Sequence, residues 1–136
     1  MKRFIHKACP FIIPIAIALI IVVLFRTVFF IGYVPTESME PTLEADSMIF
    51  GIRCFGELHK GNIIIFKHEG SYLVKRIAAC ECDTVEHNGQ QILVPKGCVY
   101  VLGDNAENSH DSRYWEDPFV KETDVVAKVI LLQCNH

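Results

Sequence analysis

The sequence predicts a mainly β fold: a compact β-barrel-like body preceded by one N-terminal transmembrane helix. Three observations predict it. No charged residue occurs from Ala8 to Phe25, and Phe11–Phe25 is entirely apolar. After Tyr33 this long run gives way to short, β-branched runs separated by turn residues. The chain has 136 residues, enough for one modest domain plus an appendage but not for two full domains.

The apolar run comes first. A spanning helix needs about 20 residues. The run reaches that length if Arg26 snorkels to the interface and Thr27–Ile31 continue it. Pro10 and Pro14 fall near its start, where a helix tolerates proline best. A cleaved signal peptide would have a shorter apolar region, about 7–15 residues, and a small-residue cleavage site. Phe29-Phe30-Ile31-Gly32-Tyr33 offers no such site, and a core helix this apolar would need a larger protein to bury it. The expected layout is therefore an N-terminal tail at 1–7, an anchor at 8–31 and a folded body at 32–136. Phe29, Phe30, Ile31, Tyr33 and Met39 are candidates to rest in the membrane interface.

Charge divides along the same line. Lys2, Arg3, Lys7 and Arg26 are basic, and no acid precedes Glu37. After Tyr33 there are nine Lys/Arg against sixteen Asp/Glu, a net charge of −7. Basic residues before a span favour a cytoplasmic N-terminus, which leaves the body outside. A net negative body excludes nucleic acid as a partner, since such binding needs basic patches.

Six cysteines are many for this length. Cys9 sits at the cytoplasmic end of the span, leaving Cys54, Cys80, Cys82, Cys98 and Cys134 in the body. Two disulfides with one free thiol, or a set of reduced thiols, are both compatible with that odd number. Cys80-Glu81-Cys82 lacks the spacing of zinc or thioredoxin-like sites, so no metal or other cofactor is expected.

The strands follow from local pattern. Ile63–Phe66 is a buried-type run after Lys60-Gly61-Asn62, and Ser71–Ile77 is a second candidate. Thr84–Glu86 and Gln91–Val94 flank His87-Asn88-Gly89-Gln90, and Asn-Gly is a strong hairpin signal. Pro95-Lys96-Gly97 turns into Cys98–Leu102, and Val125–Leu132 is a final strand. Short strands at this spacing suit a small barrel or sandwich.

Three segments carry chemistry. In Val34-Pro35-Thr36-Glu37-Ser38-Met39-Glu40-Pro41-Thr42-Leu43, two prolines stiffen a loop around Ser38 just beyond the anchor. In Ser71-Tyr72-Leu73-Val74-Lys75-Arg76-Ile77, a strand would put Lys75 on one face with Leu73 and Ile77, and Arg76 on the other. Burial disfavours the charged amine, lowers its pKa and makes a lysine able to act as a general base. The third segment, Gly103–Trp115, is too dense in hydrogen-bonding groups for a strand. It reads either as an Asx-rich surface loop or as an ordered loop supporting a site. Each segment alone has an ordinary explanation: a proline-bounded loop serine, an edge lysine that snorkels to water, a polar turn.

Taken in order, the three resemble the bacterial type I signal peptidases, the Ser/Lys kind of peptidase family S26. The resemblance rests on Pro35-Thr36-Glu37-Ser38-Met39-Glu40-Pro41-Thr42-Leu43, on Lys75-Arg76-Ile77, and on Gly103-Asp104-Asn105 with Ser109, Asp111, Ser112 and Arg113. It implies a serine endopeptidase that removes signal peptides from exported preproteins after small residues, at the outer face of the cytoplasmic membrane. Its expected partners are preprotein signal peptides, the lipid bilayer and the secretion machinery. By resemblance Ser38 is the nucleophile and Lys75 the general base. The Thr36 hydroxyl stands where a second oxyanion donor is expected, Ser109 orients the lysine amine, and Asp104, Asp111, Arg113 and Arg76 hold the site together. No histidine matches a catalytic position. The chain departs from the family pattern at Glu37, where many members have glycine, at Asn62 for a common aspartate, and at Glu81-Cys82-Asp83 for Pro-Gly-Asp. It also leaves no room for the inserted second β domain of larger members. Two further functions fit the residues: a dedicated processing peptidase for one export, pilus or spore system, and a catalytically silent membrane-anchored binding module. Loss of the dyad would mark the silent module, and Ser38, Lys75 and Ser109 are all retained.

Overall fold

The computed structural model describes residues 2–130, with side chains from Phe11 onward. Helix α1 runs Lys2–Val28, about 40 Å at 1.5 Å per residue. Its stretch Phe11–Val28 is long and apolar enough to cross a membrane, and none of it is buried inside the protein. Ile12, Ile17, Leu19, Ile20 and Val23 are all more than half exposed, on every side of the helix. A helix apolar all round with no protein partner is built for a lipid environment.

The apolar segment does not continue as helix to Ile31. It stops at Val28, and Phe29–Val34 form strand β1, paired antiparallel with β2 (Ser47–Ile52). Long-range pairing overrides the local pattern here. The Arg53 backbone N–H donates to the Val28 carbonyl at 2.7 Å, its Nε donates to the Phe29 carbonyl, and its guanidinium lies 5.0 Å from the Phe30 ring centre. The helix also begins at Lys2, so Pro10 and Pro14 lie inside it, not at its first turn.

The body is mainly antiparallel β. After β1 and β2 come β3 (Ile63–His68), β4 (Ser71–Ala79), β5 (Thr84–His87), β6 (Gln90–Leu93), β7 (Cys98–Leu102), β8 (Phe119–Lys121) and β9 (Val125–Ile130). Seven strands form one sheet in the order β1-β2-β9-β3-β4-β7-β8, and β5 and β6 form a separate hairpin. The compact β body is as expected, but the sheet keeps two ends, β1 and β8, and is not closed. The hairpin turns at Asn88-Gly89, both with positive φ (51° and 75°), the conformation for which this dipeptide is favoured. Leu131 and Leu132, expected in the last strand, lie outside the described residues.

Ile63–Phe66 is buried throughout because both faces of β3 are covered. One face joins Ile64 and Phe66 to Ile77, Val99, Val101 and Trp115. The other joins Ile63 and Ile65 to Val34, Met39, Leu43, Ile49 and Ala127. Met39 is therefore core and not an interfacial residue: it is fully buried, whereas Ile31 and Tyr33 are more than half exposed. The thiols of Cys54, Cys80, Cys82 and Cys98 are free. The Cys9 and Cys134 side chains lie outside the described residues.

Candidate active site

Ser38 sits in a one-turn 3-10 segment, Glu37–Met39, just past the end of β1. The turn is pinned from behind. Met39 and Leu43 are buried in the core beneath it, and the Leu43 N–H donates to the Met39 carbonyl at 2.9 Å. The Asp46 N–H closes the loop on the Val34 carbonyl at 2.8 Å, and the Asn105 N–H holds the Ser38 carbonyl at 3.1 Å. Ser38 is 6 % exposed, and the Thr36 hydroxyl donates to its Oγ at 3.2 Å.

Lys75 comes from the middle of β4, opposite Ile64 of β3. Strand alternation gives it the same face as Leu73 and Ile77, and both of these pack in the first core cluster. Lys75 is 4 % exposed. Burial pushes its amine pKa below the ordinary lysine value. The nearby Asp111 charge works against that push and Arg113 adds to it.

Both residues line one cleft of about 260 Å³. Phe30 and residues Gly32–Thr36 line it from the β1 side and Tyr72–Lys75 from the β4 side, together with Ser38, Ile49 and Ile65. Strands β1 and β4 are separated by three strands in the sheet, so its curl brings them face to face. A larger, more open hollow of about 460 Å³ between residues 55–59, Cys80 and Glu122 contains none of the candidate residues.

The loop after β7 supplies the third side. Gly103 is the point of closest approach: a Cβ there would lie 2.1 Å from Ser109 Oγ and 2.5 Å from the Ser38 carbonyl oxygen. Glycine alone lets the Ser38 backbone and the Ser109 side chain meet at this point. Ser109 Oγ donates to Asp111 Oδ2 at 2.6 Å. Asp111, fully buried, also accepts from the Gly103 N–H (2.8 Å), from Arg113 Nε (2.9 Å) and Nη2 (2.9 Å), and from the Arg113 N–H. Burial pushes the Asp111 carboxyl up, but these donors outweigh it and hold the pKa at about 2. Ser112 exchanges two bonds with the Val101 backbone, at 3.0 and 3.2 Å, and fixes the loop to β7.

A second ion pair ties this loop to β4. Arg76 grips Asp104 through Nε–Oδ1 at 2.8 Å and Nη2–Oδ2 at 2.7 Å, and its Nη1 donates to the Gly61 carbonyl. Such a planar two-point grip fixes orientation as well as charge. Arg76 Nη2 also reaches Thr42 Oγ1 at 3.4 Å, which links the pair to the Ser38 loop.

All eight residues singled out in the sequence thus converge. Thr36, Ser38 and Lys75 line the cleft, Ser109 stands behind Gly103, and Asp111–Arg113 and Arg76–Asp104 brace the surrounding loops. One contact differs from expectation. The side-chain hydrogen bonds of Ser38 and Ser109 go to Thr36 and Asp111, not to the Lys75 amine. Because the Ser109 proton points at Asp111, the oxygen lone pairs remain available to accept from an amine. Three positions were not singled out from sequence: Gly103 as the contact point, Asn105 as the clamp on Ser38, and Met39 as the buried peg. A methionine amid polar residues was the available signal for the last; the first two are backbone contacts across about 65 residues of chain.

Comparison with known proteins agrees with this geometry. The family model described as signal peptidase, peptidase S26 matches residues 8–94 and 88–133, nearly the whole chain. Signal peptidase I of Bacillus amyloliquefaciens is 29 % identical over 145 aligned residues, covering 79 % of this chain and 78 % of that protein. Probable signal peptidase I-1 of Synechocystis sp. is 30 % identical over 152, covering 83 % and 75 %. Mitochondrial inner membrane protease subunit 1 of Mus musculus is 33 % identical over 90, covering 57 % and 54 %. With a supported serine and a buried lysine at one cleft, and the family model spanning the body and most of the apolar helix, the chain belongs to the signal peptidases of peptidase family S26.

Proposed function

We propose that this protein is a membrane-bound serine endopeptidase that removes N-terminal signal peptides from exported preproteins after small residues, with Ser38 as nucleophile and Lys75 as general base. The observation that carries the reading is the 4 %-exposed Lys75, its pKa lowered by burial, lining the same cleft as Ser38. A neutral amine takes the Ser38 hydroxyl proton as Oγ attacks the scissile carbonyl. The negative charge that develops on the carbonyl oxygen is met by the Ser38 N–H and the Thr36 hydroxyl. The Thr36 hydroxyl rests on Ser38 Oγ at 3.2 Å in the free enzyme and is already beside the reacting atoms. The lysine ammonium then gives its proton to the leaving amine, which departs as the new N-terminus of the mature protein. The signal peptide stays as an ester on Ser38 until Lys75 activates a water that releases it. Ser109, oriented by Asp111, is the acceptor that positions the amine for both proton transfers.

The substrate segment before the cut would lie as an extended chain in the apolar cleft between β1 and β4. The anchor would keep that cleft beside the bilayer, with residues 1–7 on the cytoplasmic side and the body outside, where preproteins leave the secretion machinery. Ser38 follows the last helical residue, Val28, by only ten positions.

The test is cleavage of a model preprotein by the full chain in detergent or liposomes, read by mass spectrometry of both products. The wild type should cut once, after a small residue. Ser38→Ala should lower the rate by at least a thousandfold with an unchanged circular-dichroism spectrum. Cleavage by Ser38→Ala at the wild-type rate would rule out the nucleophile.

A further inference from the structure

We infer that Glu37 is a specificity-determining residue that favours substrates carrying a lysine or arginine just after the scissile bond; this rests on the signal-peptidase reading above. Glu37 directly precedes Ser38 and is solvent-exposed. The cleft is lined by Thr36 and Ser38 but not by Glu37, nor by any residue of the 103–113 loop. With the residues before the cut in the cleft, the chain after the cut runs on past Ser38, whose immediate neighbour is the exposed Glu37.

Glu37 is also held there. Asn108 Nδ2 donates to its Oε2 at 3.2 Å, a bond between two loops 71 residues apart, and leaves Oε1 open. The donor is a neutral amide, so the carboxylate charge is not cancelled. Two other acids near Ser38 are cancelled, Asp104 by Arg76 and Asp111 by Arg113; Glu40 accepts from the Ala45 N–H and is in no ion pair among the described residues. The remaining ion pair among the described residues, Lys60–Asp83, does not involve Glu37 either. Exposed Glu107, next to Asn108, adds a charge of the same sign. The exit from the cleft thus presents a fixed, unpaired negative rim to the first residues of the departing chain. The complementary chemistry is a cationic side chain.

The test uses one preprotein with lysine, glutamine or glutamate at the second position after the cut, assayed with the full chain at low ionic strength. The wild type should show kcat/KM for the lysine form about three- to tenfold above the glutamate form, with glutamine between; an exposed charge pair a few ångströms apart is worth that much in water. The ratio should approach one in 1 M salt, where screening is nearly complete. It should also approach one in Glu37→Gln and reverse in Glu37→Lys. Loss of Asn108 by Asn108→Ala should reduce the ratio without reversing it. Equal cleavage of lysine and glutamate forms by the wild type overturns the inference alone, and so does a wild-type ratio that persists unchanged in Glu37→Gln. Failure of the wild type to cut any form overturns the peptidase reading and this inference with it.

Discussion

Lys75 is the residue on which the proposed chemistry turns, and its burial has a thermodynamic consequence. Its pKa is lowered in the folded protein, so the unfolded chain binds more protons between the folded value and the ordinary lysine value. Stability should therefore rise with pH through that window. Lys75→Met, which fills the site with an apolar chain of similar length, should raise the melting temperature at neutral pH; a fall of several degrees would show that the amine is well satisfied when charged. Asp111 behaves in the opposite sense. Its carboxyl is held at about 2 against an ordinary 3.8, so its contribution is complete above the ordinary value and is lost as pH falls through 2. That shift corresponds to roughly 2 kcal/mol. Asp111→Asn should lower stability by about that much or more, because Arg113 is then left without its carboxylate, and it should misplace Ser109. Thermal melts at pH 7 and pH 3 check both: the Asp111→Asn deficit should shrink at the lower pH.

The elements that carry the site are two loops and one strand, and their junction is Gly103. A methyl group there would fall 2.1 Å from Ser109 Oγ, so Gly103→Ala should push Ser109 and Ser38 apart. Cleavage should drop at least a hundredfold, mostly in kcat, with a destabilisation of about 1–3 kcal/mol. Unchanged kcat would mean that the Ser38–Ser109 contact does not matter to catalysis. The same elements show what sequence could and could not foretell. The Asn88-Gly89 hairpin and the Ile63–Phe66 strand were legible because their signals are local. The buried face of Lys75 was legible from strand alternation. Strand β1 was not: Phe29-Phe30-Ile31 reads as more helix, and only pairing with β2 and the Arg53 contacts make it a strand. Strands β2 and β8 were missed because Ser47-Met48 and Gly51 break the pattern in one and the other is only three residues long. The candidate residues were legible as a set only through resemblance. Their common clamp, the 103–105 backbone against Ser38, leaves no mark in the pattern of side chains.

At the scale of the molecule, a 27-residue helix with an apolar stretch over Phe11–Val28 leads directly into the strand that walls the cleft. The helix and the candidate site are thus one continuous piece of chain, tied at the corner by Arg53. The basic N-terminal tail predicts that the body faces outward. Cys82 is exposed on that body, far in sequence from the anchor, and makes orientation measurable. In cells expressing a variant that keeps Cys82 as its one cysteine, a membrane-impermeant thiol reagent should label the protein before lysis. Labelling that appears only after lysis would reverse the topology.

The most direct test of the account is the pH dependence of preprotein cleavage by the wild type and by Lys75→Met. In the proposed mechanism the neutral amine is the reactive form. The wild-type rate should therefore climb tenfold per pH unit on the acid side and level off at an apparent pKa below the ordinary lysine value of 10.5. Lys75→Met, folded by circular dichroism, should show no cleavage at any pH. A flat wild-type profile, or a Lys75→Met enzyme that cuts at the wild-type rate, would contradict the Ser38/Lys75 mechanism.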